Sequence, residues 1–167
     1  MILKKLKAFF TSTVYVQLRE DRIKIVNIDT QAVYDQVPYI AIDASNPKQR
    51  VIRAIGSEAY SLRLDKKLDV SNPFSHPRLL VGSFEKAEKV LMQGMREVLS
   101  SKLLTPNPVV IMHPMEKLEG GVADIECRIY QELALGAGAR KVHIHVGKEL
   151  DPRAFNMDQV CSPETSK

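Results

Sequence analysis

The sequence predicts an α/β domain in which a mixed β-sheet is flanked by helices. Three observations carry this. The first half alternates apolar and polar residues between polar turns, as strands of a meander do. The second half holds two stretches of helical period, Phe84 to Ser101 and Val122 to Leu135. Each is followed by a strand pattern, a continuous apolar run at Val109 to His113 and period-two alternation at Lys141 to Val146, so that strand and helix alternate as they do around parallel strands.

Size and charge narrow the class. The 167 residues suffice for one domain with a real core. With 44% apolar and 26% charged residues, the chain has ordinary globular composition. A net charge of +4 permits an anionic surface as partner without demanding one. Aromatic residues are few and Trp is absent, which argues against a base-stacking nucleic-acid platform. No apolar run has the length of a membrane span, and the N-terminus lacks the apolar core and small-residue cleavage site of a secretory leader. Cys127 and Cys161 stand far apart in unlike contexts and are read as free thiols of a reducing cytoplasm.

Taken in order, Met1 to Phe10 forms a basic amphipathic segment. As a helix it gathers Ile2, Leu3, Leu6, Phe9 and Phe10 on one side and Lys4, Lys5 and Lys7 on the other. The readings that stay open are a helix lying in an anionic bilayer interface, and a helix docked on its own domain or a frayed terminus. Val14 to Leu18 and Ile23 to Ile28 flank Arg19-Glu20-Asp21-Arg22 as a β-hairpin. Val37 to Asp43 and Val51 to Gly56 read as two further strands around Ala44 to Lys48. Ser57 to Arg78 is weakly patterned, broken at Asn72-Pro73 and His76-Pro77, and is read as mostly loop with a short helix.

In the first long helix Phe84, Ala87, Val90, Leu91, Met95, Val98 and Leu99 make the buried stripe. The second reaches its glycine stop at Gly136 and Gly138, with Val122, Ile125, Ile129 and Leu133 as its apolar positions. From Gly147 the chain has no sustained period and reads as a tail, with order expected at its start alone.

Few residues suggest chemistry. His143 and His145 share a strand face with His113 at the end of the neighbouring strand, a set that could bind zinc. No carboxylate or cysteine is evidently placed to complete it, so a half-polar sheet face is the expectation and no metal is assigned. Gly136-Ala137-Gly138 follows a helix and precedes a strand, the reverse of a dinucleotide loop. Cys127 lies mid-helix without an activating neighbour and is read as inert.

Several pieces in one order also identify a family. They are MILKKLKAFF at residues 1–10, Val37-Pro38-Tyr39-Ile40-Ala41-Ile42-Asp43, Ala54-Ile55-Gly56-Ser57-Glu58-Ala59, Phe84 to Leu91, Thr105-Pro106-Asn107-Pro108-Val109-Val110-Ile111, and Glu132 to Val142 with its Gly-Ala-Gly-Ala-Arg turn. Together they resemble the bacterial actin homologue MreB, over roughly Met1 to Val146. The resemblance implies an actin-like (ribonuclease H-like) fold, of which this chain supplies the first domain only. Residues 1–10 would be a membrane-binding segment and 148–167 a tail. Residues 11–147 would form the domain, with its core at 11–36 and 79–147 and a small subdomain at about 37–78.

MreB-type proteins bind ATP between two domains and polymerise on the inner face of the cytoplasmic membrane. In that family the first phosphate loop reads Asp-Leu-Gly-Thr; here those positions are Gln17, Leu18, Arg19 and Glu20. The Asp is lost and a large side chain replaces the Gly that lets backbone approach phosphate. Glu126 falls where the family carries the Glu that orients the attacking water, and is a weak catalytic candidate by that resemblance alone.

The expectation is therefore a non-hydrolysing half-actin domain without a cofactor. It would act as an interaction module in cell-shape or cytoskeletal assembly, cytoplasmic and peripheral to the membrane through Ile2, Leu3, Lys4, Lys5, Leu6, Lys7, Phe9 and Phe10. Full-length MreB, other morphogenesis proteins, an anionic membrane surface or a second copy of the chain are its expected partners, and nucleic acid is not. The alternative is an ATPase subunit completed in trans by a second domain or partner chain.

Overall fold

The computed structural model describes residues 12–46, 48–99 and 107–162. The segment Met1–Phe10 lies outside them, and with it the expected membrane-binding residues. Eight strands, three α-helices and one short 3-10 helix make up the described chain. A five-stranded sheet has the order β3-β2-β1-β7-β8, formed by Val33–Gln36, Ile23–Asn27, Thr13–Leu18, Val109–Pro114 and Lys141–Ile144. β1 pairs antiparallel with β2 and parallel with β7, and β7 pairs parallel with β8. A three-stranded antiparallel sheet, ordered β5-β4-β6, is built from Val51–Ile55, Ile40–Asp43 and Leu68–Ser71. Helix α1 spans Ser57–Ser61, α2 Phe84–Leu99 and α3 Asp124–Gly136.

Alternation decides which face of the main sheet is which. Val14, Val16, Leu18, Ile23, Ile25, Tyr34, Val110, Met112 and Ile144 point to α2 and α3 and form the main core with them. Ile40, Ile42 and Phe74 join that same core, so the small sheet shares it. The opposite face carries Tyr15 and Ile111, and there the chain after β8 returns: Leu150, Phe155 and Val160 pack on these two residues with Ile28. The segment expected to be ordered only at its start thus covers part of the second sheet face as far as Cys161, whose carbonyl accepts the Val146 N–H at 2.9 Å.

The helix-to-strand connection forms at Gly138 as expected, whereas Gly136, also expected in the stop, is the last residue of the helix. Gly138 has φ +104° and donates to Leu135 O, while Ala139 N–H reaches back to Ala134 O, both at 2.9 Å. This is a Schellman closure, after which Arg140 N–H donates to Pro108 O and starts the β8 pairing.

Several expectations are corrected. The strand expected over Val37–Asp43 starts only at Ile40, because Pro38 sits in a tight turn closed by Tyr39 N–H on Val37 O. Strand β3 just before it was not expected, nor was β6 inside the stretch read as loop. The last strand ends at Ile144 and not Val146, since Val146 turns to Cys161. The helix expected over Val122–Leu135 runs from Asp124 to Gly136, and its buried side is Tyr130, Leu133 and Ala134. Ile125 is 64% exposed, and in α2 Phe84 is 42% exposed.

Gly94 marks the crossing of α2 over β2 and β3. A methyl group there would overlap Ile25 Cδ1 and the Tyr34 ring, both held in the core. At Gly136 the overlap is with the Glu88 carboxylate, the free end of a flexible side chain. Overpacking costs about 1–3 kcal/mol and outweighs the ~1 kcal/mol of helix propensity gained. Gly94→Ala is therefore expected to lower the urea midpoint, and Gly136→Ala to leave it unchanged or raise it. Equal effects of the two substitutions would contradict the packing.

Candidate functional site

The carboxyl ends of the parallel strands β1, β7 and β8 come together at one edge of the main sheet, the place where open α/β sheets hold ligands. The first candidate site, Gln17 to Glu20, lies here. Gln17 and Leu18 belong to strand β1 and are buried; Leu18 fills the core and Gln17 Nε2 donates to Tyr15 Oη at 3.3 Å. Only Arg19 and Glu20 enter the turn, which closes by Arg19 N–H on Arg22 O at 2.9 Å.

Glu20 is held from three sides. Its N–H donates to Glu116 Oε2 at 2.7 Å, and its carbonyl accepts from Asn72 Nδ2 at 2.6 Å. Its carboxylate pairs with Lys117 Nζ at 2.9 Å. Lys117, in left-handed backbone at φ 59°, donates further to the carbonyls of His76 and Leu79. A phosphate loop works by offering backbone N–H groups to an anion. Here the N–H at the turn is already given to a carboxylate, and an approaching phosphate would meet both Glu116 and Glu20.

Asn72, Glu116 and Lys117 carry no sign of this role in the sequence around them. Glu116-Lys117 was visible as a polar connection, but nothing local ties it to a turn nearly a hundred residues earlier.

Glu126 sits in the first turn of α3. Its carboxylate accepts the Ala123 N–H at 2.9 Å, satisfying a donor that the helix itself leaves free. It also borders a small apolar cleft with Leu79, Leu80, Val81, Ile129 and Tyr130. Cys127 is half-buried, and burial, with Asp124 and Glu126 nearby, pushes its thiol pKa up, away from nucleophilic character.

The histidines are brought together as their spacing predicts, with every ring nitrogen of two of them engaged by protein. His113 and His145 are 1% and 2% exposed, their ring centroids 4.4 Å apart and edge to face. His113 Nδ1 meets Tyr15 Oη at 2.6 Å and its Nε2 meets Gly147 O at 3.2 Å. His145 Nδ1 accepts the Cys161 N–H at 3.0 Å, and its Nε2 faces Lys148 O at 2.7 Å. His143 lies on the same face, half-buried, with its pKa lowered by burial and by Lys141. Among the described residues no three His, Cys, Asp or Glu side chains are arranged to hold a metal ion.

No protein-family model matches the chain. It is 26% identical over 147 residues to the cell shape-determining protein MreB of Pasteurella multocida, covering 86% of this chain and 40% of that protein. MreB of Haemophilus influenzae gives the same identity and coverage. The uncharacterized protein YjaA of Escherichia coli is 35% identical over 92 residues, which cover 49% of this chain and 72% of YjaA. Among solved structures, MreB5 of Spiroplasma citri bound to ADP matches with a TM-score of 0.63 at 18% identity, over 81% of this chain and 38% of that one. A non-polymerising MamK mutant bound to AMPPNP matches with a TM-score of 0.58 at 11% identity, over 81% and 41%. The chain thus spans about 40% of the length of the curated MreB relatives it matches.

Proposed function

We propose, for a chain that belongs to one family with the Escherichia coli protein YjaA and that is an MreB-like partial domain of actin-like fold, that it is a non-hydrolysing interaction module in cell-shape assembly. The observation that supports this reading is the clamp on Glu20. The turn that would receive phosphate instead exchanges its hydrogen bonds and its charge with Asn72, Glu116 and Lys117. It positions protein against protein, bringing together the β1–β2 hairpin, the end of the small sheet and the connection into α3. The module would join full-length MreB filaments, with Ile2, Leu3, Leu6, Phe9 and Phe10 held at the cytoplasmic membrane among Lys4, Lys5 and Lys7. One such short segment binds membrane weakly, so attachment would draw on the multivalency of the filament. Among the described residues no helix is long and apolar enough to cross a membrane.

Co-sedimentation tests this. The purified chain is expected to pellet with polymerised full-length MreB of its host and to remain in the supernatant without it. On anionic liposomes, deletion of residues 1–10 is expected to abolish pelleting. Equal amounts in the pellet with and without filaments would overturn the interaction reading.

A further inference from the structure

The second face of the main sheet is closed by a fastening whose chemistry differs from the rest of the core. Residues 147–161 are tied to the sheet through backbone atoms. Gly147 O and Lys148 O accept from the two histidine rings, Cys161 N–H donates to His145 Nδ1, and Leu150 N–H donates to Tyr15 Oη at 3.2 Å. The directions are fixed by the partners. Cys161 N–H can only donate, so His145 Nδ1 is unprotonated and Nε2 carries the hydrogen that Lys148 O accepts. Gly147 O can only accept, so His113 holds its hydrogen on Nε2 and its Nδ1 accepts from the Tyr15 hydroxyl. Tyr15 Oη in turn accepts from Leu150 N–H and Gln17 Nε2. Each of these hydrogens is donated once, the Tyr15 hydroxyl donates once and accepts twice, and the set closes only with the His113 ring neutral.

We propose that His113, braced by the neighbouring His145 ring, is an acid-operated latch, and that protonation of His113 releases residues 147–161 from the sheet and uncovers the strip around Tyr15 and Ile111. A second proton on His113 would set N–H against a hydroxyl that already accepts twice, and would leave a cation buried beside another imidazole. The groups facing His113 are Tyr15 and Gln17 from β1, Arg19 from the turn, His145 after β8 and Glu149 from the returning segment; of these only Glu149 favours a charged ring.

Burial first, and then His145, pull the His113 pKa down to about 4. Released, the ring returns to its ordinary value near 6.5. Between these values the released state binds the extra proton, so docking is complete above about pH 6.5 and weakens as pH falls toward 4. Leu150 and Phe155, freed from Tyr15 and Ile111, would leave apolar surface on both sides of the opening.

Hydrogen exchange on the full chain tests the latch. Corrected for intrinsic rates, protection of the Leu150 and Cys161 amides is expected to fall roughly a hundredfold between pH 7 and pH 4.5. The amide of Ile25, in the sheet interior, should stay protected. In H113Q/H145Q, which keeps polar groups there without titrating, the pH dependence should vanish whatever the absolute level of protection. A protection ratio independent of pH, a parallel loss at Ile25, or an unchanged pH dependence in H113Q/H145Q would each overturn the proposal.

Discussion

Phe74→Ala is expected to destabilise the fold by about 3–5 kcal/mol, the cost of deleting a buried aromatic ring without collapse of its site. Phe74 is fully buried although it lies in the irregular connection from β6 to α2. It belongs to the same core as Ile40 and Ile42 of the small sheet and Val90 and Leu91 of α2. Its N–H donates to Asn72 Oδ1 at 2.9 Å, and Asn72 Nδ2 is the group that holds the Glu20 carbonyl. Losing the ring should therefore loosen both the small sheet and the clamp. The urea midpoint should fall with the slope unchanged. A loss under about 1 kcal/mol would mean that the two sheets do not share a core through this residue.

Leu150→Asp should come close to this in size. Leu150 is buried on Tyr15 and Ile111 beneath the returning segment. The substitution forfeits about 1.5–3 kcal/mol of apolar burial and sets a carboxylate among the apolar side chains of Tyr15, Ile111 and Phe155. The expected result is a melting temperature lower by roughly 6–12 °C for about 3 kcal/mol, with protease sensitivity appearing first within residues 147–161. A melting temperature unchanged within error would show that the segment lends the sheet nothing.

The elements readable from sequence were those with a local pattern. The β1–β2 hairpin alternates cleanly, β7 is a continuous apolar run, and α3 ends at its glycines. Strands β3 and β6 escaped because each has four residues; only Tyr34 in β3 is fully buried, and β6 is only half-buried. Periodicity announced a helix at 122–135 but could not set its phase: Ile125 faces out while Tyr130 and Ala134 face in. The return of residues 147–161 was illegible for a different reason. Its ties run through backbone carbonyls and N–H groups, which leave no signature in side-chain type, and its apolar contacts, Leu150, Phe155 and Val160, follow no regular period.

The same holds for the site. That Arg19 and Glu20 are unlike the small and acidic residues of a phosphate loop was readable from their types; that Glu116 and Lys117 contact the turn was not, because the contact spans nearly the whole core in sequence. Whether this turn is a protein-held clamp or a working nucleotide loop is tested most directly by calorimetry of the full chain with Mg·ATP and Mg·ADP, alone and with full-length MreB. No saturable heat attributable to this chain is expected in any of these titrations. A saturable isotherm for the chain alone, abolished by substituting Arg19, would contradict the assignment of the turn as a clamp.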